Sequence, residues 1–237
     1  MKKKLVTALI TGIACGSLVF AGCGDNKSDS SSSASSSVAT SSNSSSSSSA
    51  APTKESKKSM SESEKKAKIE QLSQGMDVKG DDMTGATGYT GSGMQQILPI
   101  LRKEITDKGY VPSYRLCALK DKDGNKHLME IIELDSKEAD VMEDKLVMKS
   151  KDKLYTTSYD QFDGNTESVN DFQNDISISG VRSIAKKDRI KEIREAVNSG
   201  YIKIRASDVM SHKNFDRELT SEEINMLSKV LQIYDLL

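Results

Sequence analysis

The sequence predicts an α+β fold: an antiparallel β-sheet or β-sandwich-like core with peripheral helices and a C-terminal helix. Three observations lead there. Two β-rich runs, Tyr110 to Lys120 and Lys126 to Leu134, flank Asp121-Lys122-Asp123-Gly124-Asn125, a composition that turns a hairpin. Tyr201 to Ala206 alternates as a half-buried strand does. Thr220 and Glu223 form a capping box ahead of Ile224, Leu227, Val230, Leu231 and Tyr234, which recur at helical spacing. Hairpins gathered in the middle, with helices before and after them, belong to an α+β domain.

The globular region runs from about Glu64 to Leu237 (64–237), enough for one modest domain with its own core. Ser61 to Gly75 reads as a polar lead-in helix, opened by a Ser61/Glu64 capping box and ended by Gly75. Its sparse apolar residues, Ile69, Leu72 and Met76, place it on the surface. Asp81 to Tyr89 follows as a loop or short extended piece. Ser92 to Lys108 is helical, with Ile97, Leu98, Leu101 and Ile105 on one face and Gly109 just past the end. Pro99 either starts this helix in its first turn or kinks it. After the first hairpin, Lys145 to Met148 and Leu154 to Tyr159 make a second one around Ser150 to Lys153, and Ile176 to Ile184 adds a strand. Asp188 to Asn198 is a helix with Ile190, Ile193 and Val197 inward, stopped by Gly200.

Ahead of the domain the chain changes character twice. Lys2, Lys3 and Lys4 form a cationic head, and Leu5 to Phe20 form an apolar run too short and Gly-rich for a membrane span. Small residues Ala21 and Gly22 then precede Cys23. This order resembles a bacterial lipoprotein signal peptide, with Phe20 where Leu is usual. Cys15 fits less well, because cleavage before it would leave a very short apolar core. The resemblance implies that residues 1–22 are removed, that diacylglycerol is attached to Cys23, and that the protein is lipid-anchored on the extracytoplasmic face of the cell membrane. Acyl chains contribute about 0.8 kcal/mol per buried methylene, so two or three of them hold a protein durably at a bilayer.

From Cys23 to Ser63 (23–63) the chain is a tether. Between Ser28 and Ser63 it collapses to Ser with a little Ala, Thr, Asn and Lys, too little apolar area to repay ordering, and it is expected to be disordered. Such a chain reaches roughly 5–6 Å × √n, lifting the domain a few tens of ångströms. The expected role is a plain spacer; the sharper readings are O-glycosylation or anchoring within a thick wall polymer, and the sequence does not choose between those two. With Cys15 removed and Cys23 lipidated, only Cys117 is left, so no intramolecular disulfide can form. Cys117 sits in a strand-like run and is expected to be a small buried residue.

Few residue patterns point to chemistry. The formal charge of −1 gives no argument for nucleic acid, and the absence of Trp disfavours a stacking platform. Asp121 to Asn125 lacks the Gly and the bidentate Glu that an EF-hand needs, so it reads as a turn. The acidic run Glu133, Asp135, Glu138, Asp140, Glu143 and Asp144 can gather a hard cation or stay a solvated connection; the spacing favours the second. Lys186, Lys187, Lys191 and Arg194 give one helix a basic flank, diluted by Glu192 and Glu195. His127 and His212 lack zinc-like partners, and no nucleophile-elbow, P-loop or zincin motif occurs. No cofactor, metal or catalytic residue is therefore expected.

Met76 to Tyr89, with its Asp-Met-Thr-Gly-Ala-Thr-Gly-Tyr run, and the ending from Lys203-Ile204-Arg205 into the Thr220–Leu237 helix resemble a group of bacterial secreted and lipoprotein domains. Gln95 to Lys108 departs from that pattern. The resemblance implies a β-sandwich-like or sheet-plus-helix fold and carries no activity or site residues. The expectation is a lipid-anchored binding or interaction protein of the cell envelope. Its partners would be the membrane through the anchor and a wall polymer or envelope protein. The other classes are an envelope enzyme such as a wall hydrolase, and a purely structural envelope protein.

Overall fold

A computed structural model describes residues 60–81, 85–91, 97–138, 140–160, 162, 164–173 and 175–237. The signal-peptide run, Cys23, nearly all of the Ser-rich tether and Ser92 to Gln96 lie outside these. The chain order is α1 (Glu62–Leu72), β1 (Asp77–Asp81), β2 (Ala86–Thr90), α2 (Ile97–Lys108), β3 (Tyr110–Lys120), β4 (Lys126–Ser136), β5 (Lys145–Ser150), β6 (Leu154–Ser158), β7 (Thr166–Gln173), β8 (Ile176–Ile184), α3 (Lys187–Asn198), β9 (Ile202–Ser207), β10 (Asn214–Glu218) and α4 (Ser221–Leu236). The fold is α+β. All pairings are antiparallel, in a six-stranded sheet ordered β1-β2-β3-β4-β8-β7 and a four-stranded sheet ordered β10-β9-β5-β6.

The central hairpin sets the register of the larger sheet. Tyr110 pairs with Ser136 and Lys120 with Lys126, so every β3 residue has a β4 partner. The turn forms because the Asp121 carboxylate accepts from the backbone N–H of Asp123 and Asn125, while Gly124 adopts φ +81°. Inward residues Tyr114, Leu116, Ala118, Leu128, Ile132 and Leu134 enter the main core. On the opposite face Cys117, Leu119, Met129 and Ile131 join Ala86 in a second cluster. Burial on both faces explains why these strands read as almost continuous apolar runs.

The four-stranded sheet contributes Leu146, Met148, Ile202, Ile204, Ala206 and Phe215 to the same main core. Tyr110 of β3 meets Phe215 of β10 edge to face, ring centroids 4.8 Å apart. The C-terminal helix fills the space over β2, β3 and β4, burying Ile224, Leu227, Val230 and Leu231. Its capping box is present as expected: the Thr220 hydroxyl accepts from Glu223 N–H and the Glu223 carboxylate accepts from Thr220 N–H. Gly91 permits the close approach, since a Cβ there would sit 2.7 Å from Met226 Cγ.

Other elements fall near their expected places. The Ser61/Glu64 capping box opens α1, which buries no residue and lies on the surface. Pro99 occupies the first turn of α2, where its missing N–H costs nothing. Leu101 and Ile105 pack with Val111. Within Asp81 to Tyr89 the described part from Ala86 is extended as β2, which pairs with β1. Three strands, β1, β7 and β10, are additional to the sequence reading. Both β7 and β10 are mainly polar edge strands, and pairing with β8 and β9 defines them. Gly180 lets β4 and β8 close, because a Cβ there would overlap the Ile132 carbonyl oxygen and press on Glu133.

Candidate functional site

The outer face of the four-stranded sheet carries a groove lined by charged and apolar side chains. Strand alternation turns Leu146 and Met148 inward and leaves Lys145, Val147 and Lys149 facing out. In β9 the same alternation exposes Lys203 and Arg205 between buried Ile202, Ile204 and Ala206. The register puts Lys149 directly opposite Lys203, Val147 opposite Arg205, and Arg205 opposite Asp216. A groove of about 350 Å³ runs over these positions. Val147, Leu154 and Tyr201 supply apolar surface, and Leu154 is 67% exposed.

Electrostatics differ across the groove. Arg205 Nε and Nη2 donate to the two Asp216 oxygens at 2.5 and 2.8 Å, and Lys203 Nζ lies 3.0 Å from the same carboxylate. These cations, Arg205 first, pull the Asp216 carboxyl down to about 2, so it stays ionised. The groove therefore carries three cations against one carboxylate. Lys149 and Lys203 face each other as like charges; Lys203 is offset by Asp216 and by Glu218, its partner on β10, and Lys149 lies opposite Leu154.

A second polar cluster lies inside the fold. Glu130, 1% exposed, accepts from Arg189 Nη2 at 2.8 Å, from Arg189 Nε at 3.0 Å, from Tyr114 Oη at 2.9 Å and from Tyr159 Oη at 3.3 Å. Burial, with Glu130 adding to it, pushes both phenols upward. Desolvation works against the Arg189 charge, but Tyr114 and Glu130 outweigh it and keep the guanidinium cationic. A cavity of about 110 Å³ adjoins Tyr159 and Arg189. The Glu130 oxygens are occupied by protein donors, so this cluster joins β3, β4 and α3 rather than offering a free acid.

The residues singled out in the sequence do not converge. Cys23 lies outside the described residues. Cys117 is buried; burial pushes its thiol up to about 11, and its sulfur accepts from Thr90 Oγ1. Within the acidic run, Glu133 pairs with Arg115 and Arg182, Asp140 accepts from Ser136, Glu138 pairs with Lys213 and Glu143 faces His212. His127 sits 3.6 Å from Asp121 at the hairpin turn. Among the described residues no three His, Cys, Asp or Glu side chains gather as a metal site. In the basic flank of α3, Arg194 is bound to Asp235 by two hydrogen bonds.

Protein-family models, curated proteins and solved structures were compared with the chain. None matches. The site must therefore be read from its own geometry. Lys149, Lys203 and Arg205 carried no motif in the sequence; the only signal was the outward phase of Lys203 and Arg205 in an alternating strand.

Proposed function

We propose that this chain is a lipid-anchored binding module on the extracytoplasmic face of a bacterial cell membrane, attached through Cys23 and engaging anionic partners of the envelope through the outer face of its four-stranded sheet. The observation that carries the reading is the groove, where Lys149, Lys203 and Arg205 surround apolar floor with a single carboxylate among them. Fixed cations over an apolar floor bind by charge and by shape without any chemical step. The Ser-rich tether supports the reading from the other side, since a spacer gives an anchored surface room to search.

The anchor and the surface are tested together in a bacterium expressing the full chain. Labelled palmitate enters the wild-type protein and does not enter Cys23→Ala, which leaves the membrane fraction or accumulates unprocessed. Equal labelling and retention of both proteins would remove the anchor from the account. Retention of the chain by protein-stripped envelope material falls as salt rises and falls again in Lys149→Glu with Lys203→Glu. Retention indifferent to both changes would remove the groove.

A further inference from the structure

We infer that the groove takes a linear phosphodiester chain, with one phosphate between Lys149 and Lys203 and the next beside Arg205. This rests on the binding-module reading and names its ligand chemistry. Three features of the groove argue for it.

The first is the like-charge pair across β5 and β9. Lys149 and Lys203 are direct cross-strand neighbours, with Cβ atoms about 4.5–5.5 Å apart as such pairs are. Lys203 has Asp216 at 3.0 Å, a carboxylate already gripped by Arg205, and Glu218 opposite it on β10, whereas Lys149 has Leu154 as its other neighbour. An anion with several acceptor oxygens fits between two ammonium groups, each a strongly hydrated point charge with three donors.

The second is spacing. Lys203 and Arg205 are two residues apart on one strand face, roughly 6.6–6.8 Å along the chain. A three-carbon phosphodiester repeat spans such a gap, so successive phosphates of one polymer meet successive cations. Arg205 is held in place for this by Asp216, which leaves its Nη1 without a partner in that pair.

The third is shape. The cations line a groove whose floor includes Val147 and Tyr201. A chain lying in it touches both the charges and the apolar floor, the floor taking the carbon segments between phosphates. Lys203 and Arg205 follow β9 as a line of charge rather than a plane, which suits a chain better than a membrane surface.

The test uses the full chain carried in phosphatidylcholine vesicles and titrated with fluorescent poly(glycerol phosphate). Two phosphate contacts, at about 0.7 in the log–log salt slope for each, weaken binding about sevenfold when salt rises from about 50 to about 200 mM. In Lys149→Gln with Lys203→Gln one contact is lost and the same change of salt weakens binding only about two- to threefold. The variant keeps the wild-type melting temperature. Equal affinity for polyglutamate of the same length would overturn the phosphate assignment. Complete displacement by phosphatidylglycerol vesicles, with no affinity for the free polymer, would overturn the polymer in favour of a lipid surface. No binding of the polymer would overturn the inference outright. If envelope retention still depends on the two lysines in that case, only the ligand chemistry fails; if it does not, the binding-module reading fails with it.

Discussion

Removing the positive half of the buried Glu130–Arg189 pair gives the sharpest test of how the core is held. In Arg189→Met the Glu130 carboxylate, 1% exposed, keeps its two phenol donors and loses every contact with the guanidinium. Breaking a buried pair from one side costs about 3–5 kcal/mol, mostly from the charge left without compensation. For a domain of this size each kcal/mol lowers the melting temperature by about 2–4 °C, so the expected drop is roughly 6–20 °C. Circular dichroism through a thermal scan measures it. The mechanism is separated from simple loss of packing by a second substitution. Glu130→Gln removes the stranded charge while keeping an acceptor for Tyr114 and Tyr159. The double variant should therefore be more stable than Arg189→Met alone by at least about 1 kcal/mol, a coupling within the range for contacting residues. A double variant less stable than the single one would refute the uncompensated-charge argument. The 110 Å³ cavity beside Arg189 would then be the better explanation of the loss.

Three further substitutions probe separate parts of the fold. Burial, with the Glu133 charge next in weight, raises the Asp135 carboxyl from 3.8 to about 7, so the folded state binds a proton that the unfolded chain releases. Its contribution is fully present below about pH 4 and is lost as pH rises through about 7, an effect of up to about 4 kcal/mol. Asp135→Asn should flatten that decline in urea unfolding, and an identical pH profile for both proteins would show the carboxyl to be solvated. Gly180→Ala should cost about 3 kcal/mol or more, because its Cβ meets the β4 backbone at Ile132 and Glu133; a loss below about 0.5 kcal/mol would mean that the strands part easily. Thr220→Ala removes the side-chain acceptor that caps α4 and should cost about 1 kcal/mol, with an unchanged midpoint counting against the cap as a stabilising contact.

The hairpins were legible because their signals are local: turn residues at Asp121 to Asn125 and Ser150 to Lys153 sit between β-rich runs. Helix ends were legible for the same reason, since a capping box occupies four consecutive residues and Gly109 and Gly200 take φ +80° and +70° at their stops. The edge strands β1, β7 and β10 were not. Asn-Phe-Asp-Arg-Glu in β10 has one large apolar residue, and its extended state comes from pairing with β9 along Asn214↔Ser207 to Glu218↔Lys203. The same holds for β7, whose composition is that of a loop.

The groove was hidden for a related reason. Lys149, Leu154, Lys203 and Asp216 come from four strands, and the registers Lys149↔Leu154, Lys149↔Lys203 and Arg205↔Asp216 bring them together. The inner cluster left a faint sign, because Glu130 falls on the inward phase between Leu128 and Ile132. Its partner Arg189 is 59 residues away and lies in a segment that reads as a solvated basic helix. Neither pattern can be assembled without the sheet order.

The account stands most directly on one measurement: retention of the full chain by protein-stripped bacterial envelope material, for wild type and Lys149→Glu with Lys203→Glu, across a salt series. Charge reversal at the two facing lysines should abolish retention at moderate salt while the circular-dichroism spectrum stays that of the folded wild type, and wild-type retention should fade as salt rises. Retention of the reversed variant at the wild-type level and salt dependence would contradict the account, because the outer face of the four-stranded sheet would then not be the surface that binds.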